Sequence, residues 1–94
     1  MRKEILEWAN QRELLHFRNH TKQFIKLSEE VGDLANAILK NNEKEQIDAL
    51  GDIQIVLIIL AEQLGFDLDE CLKSAYNEIK NRTGKTINGT FIKD

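Results

Sequence analysis

Apolar side chains recur along much of the chain at alternating three- and four-residue steps, the spacing of one face of an α-helix. The clearest run has five members, Phe24, Leu27, Val31, Leu34 and Ile38. It predicts a helix over about residues 21–40, with Thr21 as its N-cap and with Val31 and Ile38 at the centre of its buried face. A shorter helix is predicted over roughly residues 3–10, and residues 12–20 either continue it or form a loop.

A third helix is predicted over about residues 43–64, between the N-cap Asn42 and Gly65. Residues 55–60 leave this segment without a polar face, so it needs cover on every side. A β-strand is the other reading of "IQIVLIIL", but the flanking residues are helix formers. One chain offers too few partner helices for complete cover, and we therefore expect a second copy to supply the rest.

The fourth helix should start at Asp67, with Glu70 completing a capping pair, and run to Gly84. Its expected buried side consists of Leu68, Leu72, Ala75 and Ile79, and Cys71 is interpreted as a small buried hydrophobe. Asn88-Gly89 in the tail is typical of a two-residue hairpin turn. The predicted fold is therefore an all-α antiparallel bundle of about four helices, completed by oligomerisation, with a short C-terminal β-hairpin or extended tail.

Composition narrows the class of protein. With 94 residues, 41% hydrophobic and 31% charged, the chain fits one globular domain over residues 1–94. The net charge of −3, with both signs mixed, argues against a nucleic-acid partner. We expect no membrane partner, since no apolar run reaches the length of a span. One cysteine and no apolar leader favour the cytoplasm.

Acidic residues border the predicted core on two helices. Glu30 and Asp33 flank the apolar face of the second helix together with Gln23 and Lys26, whereas Glu29 lies closer to solvent. On the third helix a row of carboxylates continues into apolar residues. That row consists of Glu45, Asp48 and Asp52.

Carboxylates on helices usually form a solvated face. Here, however, aspartate is a poor helix former placed twice in the most buried helix. Like charges at a core border repel each other, and a hard divalent cation relieves that repulsion. Mg²⁺ often joins a few carboxylates to substrate phosphates, which makes a magnesium site the expectation, with Mn²⁺ as an acceptable substitute.

The acidic segments "KLSEEVGDL" (26–34) and "DALGDIQIVL" (48–57) resemble the two motifs of the MazG-like all-α nucleoside triphosphate pyrophosphohydrolases, Glu-Glu-x-x-Glu and Glu-x-x-Asp. Further similarity to a small, phage-type branch lies in "EWANQREL", "NEIKNRTGK" and "NGTFIKD". The resemblance implies Mg²⁺-dependent hydrolysis of an NTP or dNTP to the monophosphate and pyrophosphate. It also implies a homo-oligomer, with a tetramer favoured over a dimer.

The resemblance also assigns roles to individual residues. Glu29, Glu30, Asp33 and Asp52 match catalytic acids, and Glu30, Asp33 and Asp52 match metal ligands. Ala49 stands where the family has the Glu of its second motif. We therefore expect Asp48, one turn before Asp52, to supply the missing oxygens, with Glu45 further out. The alternative is that Asp48 only complements the helix dipole.

Substrate contacts are expected from six residues: Trp8, Gln23, Lys26, Asn77, Lys80 and Arg82. Lys80 and Arg82 suit phosphate oxygens, but a cationic helix end explains them equally well. Trp8 suits base stacking, although a core or interface role is more common. His16 and His20 have zinc spacing without a third ligand. Besides the enzyme, an inactive helical oligomerisation or regulatory module stays open, and a ferritin-like di-iron protein lacks its Glu-x-x-His motif.

Overall fold

The computed structural model describes all 94 residues. It contains four helices, α1 (Arg2–Gln11), α2 (His20–Leu39), α3 (Glu43–Gln63) and α4 (Leu68–Ile79), and then two strands, β1 (Gly84–Ile87) and β2 (Thr90–Lys93). A 3-10 turn at Phe17–Asn19 precedes α2. The predicted all-α class, with four helices and a C-terminal hairpin, is confirmed. The segment after α1 is a loop rather than a continuation of the helix.

The central unit is the antiparallel pair of α2 and α3, which only residues 40–42 connect. Ala37 and Ala49 are 0% and 4% exposed, and side chains this small let the two helices approach closely. Val31 and Ile38, the expected centre of the buried face, are 50% and 56% exposed. That expectation is wrong for the single chain, because α2 packs through the neighbouring face that carries Glu30 and Ala37.

Three helices end in the same way, with one residue in the left-handed conformation. Gly65 after α3 has φ 87°, and the Phe66 amide donates to the Ala61 carbonyl at 2.8 Å. Asn41 after α2 has φ 55°, and Glu13 after α1 has φ 56°. This is the Schellman arrangement. The glycine stop after α3 was predicted, whereas the stops at Asn41 and Glu13 were not.

Of the three N-cap residues predicted from the sequence, two are confirmed. The Asn42 side chain accepts from the Glu45 amide at 3.0 Å, and Asp67 accepts from the Asp69 amide at 2.8 Å. Glu70 makes no capping pair and instead contacts Lys73 at 3.4 Å. Thr21 is not the N-cap of α2, because the 3-10 turn leads into the helix one residue earlier and Asn19 takes that position.

α1 is held against α3 by packing and by charge. Ala9 is fully buried, and the Arg2 guanidinium lies 3.2 Å from Glu62 and 3.5 Å from Asp67. Arg2 thereby connects α1 to the end of α3 and the start of α4. None of the four helices alone combines the length and the apolar character of a membrane span; α3 and α4 have both only when taken together, and they are bent by 100° relative to each other.

α4 departs from its predicted course. It ends at Ile79, not at Gly84, because Gly84 begins β1 and pairs with Lys93. A Cβ at Gly84 would collide with the Ile92 carbonyl oxygen and lie 2.9 Å from the Lys93 Cα, so this strand position requires glycine. None of the residues of α4 is buried in the single chain, and Cys71 is exposed. Their expected burial is therefore wrong for the isolated chain.

The isolated chain has an incomplete core. Its radius of gyration is 16.1 Å, against about 12 Å for a compact domain of this length. Only nine residues are buried, and none of them is a fully buried large side chain. Five large apolar side chains of α2 and α3 lie, by helical phase, on the flank opposite Asp33 and Asp48. They are Phe24, Val31, Ile38, Leu50 and Leu64, each at least 39% exposed.

This apolar flank predicts self-association, since monomers rarely expose large contiguous apolar patches. Val31→Glu should shift the protein towards monomer, because pairing of the flank would bury an unpartnered charge. Light scattering across a dilution series measures the change. Lys44→Glu, which places the same side chain at an exposed site on the first turn of α3, should leave the mass unchanged. A wild-type monomer at micromolar concentration would contradict the prediction.

The left-handed stop after α1 predicts a stabilising substitution. Glu13→Gly should raise the free energy of unfolding by about 1 kcal/mol, because glycine adopts positive φ without the Cβ clash. Thermal or urea unfolding measures it. Glu7→Gly, within α1 and also exposed, should lower stability by about 1 kcal/mol. Equal effects of the two glycines would show that φ at residue 13 carries no strain.

Candidate functional site

An acidic groove of about 330 Å³ lies between the C-terminal half of α2 and the N-terminal half of α3. Antiparallel packing sets residues 30–40 of one helix beside residues 45–52 of the other. Eight residues line it: Glu30, Asp33, Asn36, Lys40, Glu45, Asp48, Ala49 and Asp52. Five of these are carboxylates, against one lysine. The structure therefore brings together every acid that the sequence placed at the core border, and it leaves Glu29 exposed outside the groove, on the solvent side where the sequence placed it.

Glu30 is the most constrained of these acids. It is 8% exposed and lies at the α2–α3 interface, where an unpaired charge is costly. Lys26, one turn earlier on α2, places its ammonium 3.5 Å from Glu30 Oε1. This ion pair compensates the buried charge and fixes the carboxylate at the edge of the groove. Asp33, Asp48 and Asp52 are exposed and line the groove without a lysine or arginine partner within 4.0 Å.

The donor chemistry of the groove fits a hard divalent cation. All five acids offer oxygen ligands, which Mg²⁺ prefers, and their mutual repulsion would fall on binding a cation. No three Asp, Glu, His or Cys side chains converge on one point to form a cage. Mg²⁺ usually retains several waters and takes only one or two protein carboxylates together with substrate phosphates, so a convergent cage is not required.

Ala49 occupies a decisive position in the groove. It is 4% exposed, lines the groove, and faces α2 from the interface side of α3. Alanine there leaves the helix-facing position without an oxygen. Asp48 and Glu45 line the same groove from the adjacent face of α3. Asp48 is the sixth residue of α3, beyond the first turn in which a carboxylate benefits most from the helix dipole.

A second cavity, of about 460 Å³, has Lys26 in its lining. It is the more apolar of the two, and Val56 and Ile59 belong to its lining. Trp8, Gln23 and Lys26, three of the predicted substrate contacts, line it together. Arg12 lies over the Trp8 ring at 4.2 Å, and Trp8 is 47% exposed. Lys26 lines this cavity and pairs with Glu30, which lines the groove, so one ion pair connects the linings of the two spaces.

Four predicted site residues lie outside both cavities. Glu29 is exposed on α2, with Lys26 at 3.9 Å. Asn77 belongs to α4, and Lys80 and Arg82 follow that helix, which diverges from α3 by 100°. None of the four lines the groove or the second cavity. Their assigned roles stay predictions, and within one chain α4 does not deliver its cations to the acids.

The two histidines make contacts within the turn that precedes α2. His16 Nδ1 accepts from the Arg18 amide at 3.2 Å and starts the 3-10 turn. His20 Nδ1 lies 2.8 Å from the Phe17 carbonyl oxygen, and its ring lies 4.6 Å from the Phe17 ring. Neither belongs to a group of three or more metal-ligating side chains.

Sequence reasoning missed six residues of these cavities: Asn36 and Lys40 in the groove, and Leu14, Asn19, Lys22 and Gln63 in the second cavity. Asn36 and Lys40 follow Asp33 at three- and four-residue steps, so the same wheel that found the acids could have found them. Gln63 and Leu14 gave no such signal. Gln63 ends α3, and it meets Leu14 only because the loop after α1 folds back over that helix end, where Gln63 Nε2 donates to the Leu14 carbonyl at 2.6 Å.

A family model and two viral proteins match this chain. The MazG-like family model matches residues 24–88, which include the whole groove but not Trp8 or Leu14. An uncharacterized 18.2 kDa protein from the rep-hol intergenic region of Haemophilus phage HP1 is 42% identical over 65 residues, covering 69% of this chain and 40% of the phage protein. No solved structure gives a significant match.

A second relative is an uncharacterized protein of Acanthamoeba polyphaga mimivirus. It is 44% identical over 43 residues, which cover 46% of this chain and 17% of the viral protein. The chain thus spans less than half the length of both relatives.

Ala49 offers no side-chain oxygen to the groove, and the position of Asp48 predicts that its carboxylate supplies the missing oxygens. If Asp48 supplies oxygens to the groove, Asp48→Asn should weaken Mg²⁺ binding at least about tenfold, while the fold stays intact or becomes slightly firmer. Isothermal titration with Mg²⁺ and thermal unfolding measure both effects.

Asp69→Asn, in the first turn of α4, is the matched control, because there a carboxylate serves the helix start. It should cost well under ~1 kcal/mol of stability and leave Mg²⁺ affinity unchanged. Unaltered Mg²⁺ affinity in Asp48→Asn would end the assignment and transfer it to Glu45.

Proposed function

The chain belongs to the MazG-like family, and from that membership and its acidic groove we propose that it hydrolyses an NTP or dNTP to the nucleoside monophosphate and pyrophosphate. The observation that carries the proposal is that five carboxylates from two helices line one groove, which the Lys26–Glu30 ion pair connects to a more apolar cavity. A nucleotide has the same two parts, an anionic phosphate chain and a flat, partly apolar base. We expect the activity to serve housekeeping of the nucleotide pool.

The groove acids would hold the required metal. Glu30, Asp33, Asp48 and Asp52 are the proposed ligands of Mg²⁺, or of Mn²⁺ in its place. When bound, the cation supplies positive charge that neutralises phosphate oxygens, which dominates catalysis of phosphoryl transfer. Without it, five carboxylates would repel a polyphosphate, so the groove suits this substrate only in combination with a cation.

The chain's own residues then have three tasks. Lys26, in the lining of the second cavity, provides a point charge for a phosphate oxygen. Lys40 provides a second charge at the far end of the groove, where α2 ends. The carboxylates orient the attacking water by accepting its hydrogen bonds and take up its proton. Glu29, outside the groove, is proposed as an acid that acts through Lys26, its neighbour at 3.9 Å.

Residues on and after α4 would act in an assembled homo-oligomer, for which a tetramer is favoured and a dimer is the alternative. α4 and the residues after it form an arm that projects at 100° to α3 and carries Asn77, Lys80 and Arg82. Such an arm reaches towards a neighbouring copy more readily than back towards its own groove. In this arrangement one copy supplies the acids and another supplies the phosphate-binding cations.

The alanine at position 49, where the family has a glutamate, favours a second candidate function. A groove that lacks the helix-facing acid would bind a cation weakly, and the chain would then serve as a helical oligomerisation or regulatory module without turnover. The two functions separate on product formation alone, because the module needs the apolar flank but no chemistry in the groove.

The proposal predicts pyrophosphate and monophosphate as the only products from at least one common NTP or dNTP, and only with Mg²⁺ or Mn²⁺ present. Ion-exchange separation of the products distinguishes this from release of inorganic phosphate. Reaction in ¹⁸O-labelled water locates the attack: label in the monophosphate means attack at the α-phosphorus, and label in pyrophosphate means attack at the β-phosphorus.

Asp52→Asn tests the groove within the same assay, and it should reduce turnover by a factor of 100 or more, roughly what loss of one electrostatic group costs an enzyme. The control Asp69→Asn should behave as wild type. Inorganic phosphate as the sole product would refute the proposal, and an absence of turnover on every common nucleotide would favour the regulatory module.

A further inference from the structure

The C-terminal hairpin packs against no helix of its own chain. β1 and β2 contact only each other, with Lys85 opposite Ile92 and Thr86 opposite Phe91. Every residue of the two strands except Gly84 is exposed. A two-stranded hairpin alone is at best marginally stable in water. An ordered hairpin at this position therefore needs a surface that the single chain does not provide.

One face of the hairpin is covered from within, and the other is open. Residues directly opposite each other on paired strands share a face. On the first face the Phe91 ring lies across Gly84, where a Cβ would come within 2.8 Å of the Phe91 Cζ. The other face carries Lys85, Ile87 and Ile92, and the two isoleucines are 53% and 50% exposed. These three residues are called the open face below.

Charge indicates which surface the open face fits. Residues 80–93 hold four cations and no acid, and none of the four lies within 4.0 Å of a carboxylate. Residues 29–52 of α2 and α3 hold seven acids against two lysines, and five of those acids line the groove. Opposite charges favour association, and like charges oppose it. The hairpin therefore complements the acidic groove and repels a second hairpin.

Within one chain the hairpin and the groove do not meet. α4 projects at 100° to α3, and the hairpin that follows it packs against neither α2 nor α3. A second copy offers the same groove, and around a two-fold axis both copies make the same contact, which closes the assembly. Leu39, next to Lys40 at the end of the groove, is 80% exposed and provides apolar surface for the isoleucines.

We infer that the hairpin of one copy docks by its open face on the acidic groove of a second copy and covers it. Lys85 then faces the groove carboxylates, and Ile87 and Ile92 lose their exposure to water. Each groove is complete only when a partner's hairpin lies on it. The inference rests on the proposed homo-oligomer, which it extends to the hairpin, but it does not require hydrolysis of a nucleotide.

Hydrogen exchange of residues 84–94, followed by mass spectrometry without divalent cations, tests the docking. In the wild-type protein the strand amides should exchange slowly. Asp48→Lys places a like charge opposite Lys85, so it should accelerate their exchange at least about tenfold. Glu7→Lys makes the same change of charge at an exposed site on α1, outside the groove, and should leave the wild-type rate.

A charge exchange guards against a variant that merely misfolds. Lys85→Glu changes an exposed strand residue and should accelerate exchange as Asp48→Lys does. The double variant Asp48→Lys/Lys85→Glu restores opposite charges across the contact and should return exchange towards the wild-type rate.

Isotope labelling identifies the copy whose groove is occupied. Unlabelled Asp48→Lys chains are refolded together with an excess of ¹⁵N-labelled wild type, so that mass separates the two hairpin peptides. A hairpin that docks on a second copy finds wild-type grooves in the mixed oligomer, and slow exchange should return to the unlabelled peptide. A hairpin that docks on its own groove would keep the fast exchange.

Fast exchange of the wild-type hairpin would overturn the inference, and so would a wild-type rate in both Asp48→Lys and Lys85→Glu. Fast exchange of the unlabelled peptide in the mixed oligomer rejects the second copy as the occupant. Slow, groove-dependent exchange without pyrophosphate release keeps the docking and rejects the proposed hydrolysis. Pyrophosphate release with a fast-exchanging hairpin does the reverse.

Discussion

Close contact between α2 and α3 holds both cavities of this protein in place. The contact depends on small side chains, Ala37 and Ala49, which let the two long helices approach closely. On one flank of the contact the helices leave the acidic groove, and on the other they leave an apolar flank. A larger residue at either alanine would separate the helices and move the two rows of carboxylates apart.

The same contact explains why charge collects in the groove. Asp33, Asp48 and Asp52 repel one another, and Lys40 is the single cationic residue among the eight that line the groove. Hydrophobic packing at Val56, Ile59 and Leu60 supplies the opposing stabilisation further along α3. Function and stability thus compete along one helix, with acids in its first half and the core in its second. Functional sites often retain such repulsion between like charges because the charges are needed to bind a ligand.

The sequence predicted the elements well and their packing less well. Asn42, Gly65 and Asn88-Gly89 act locally, through caps and turns, and each appears where its chemistry required. The acids were found because they share a helical period with the core. Packing depends on more than period: the choice between the Val31 face and the Glu30 face of α2 followed from the size of Ala37 and Ala49, which the apolar pattern did not weigh. Gln63 and Leu14 met only through a loop whose course no pattern indicated.

Lys26 has one ammonium group, which can pair either with Glu30 or with an occupant of the second cavity. It now compensates Glu30, and it also borders the cavity where Trp8 and Gln63 lie. A ligand that attracts Lys26 would release the Glu30 carboxylate, which would then need another positive partner in the groove. If an occupant of the second cavity draws Lys26 from Glu30, the occupants of the two spaces are thermodynamically linked, and by reciprocity each changes the affinity for the other by the same factor. One side chain would then couple the two cavities.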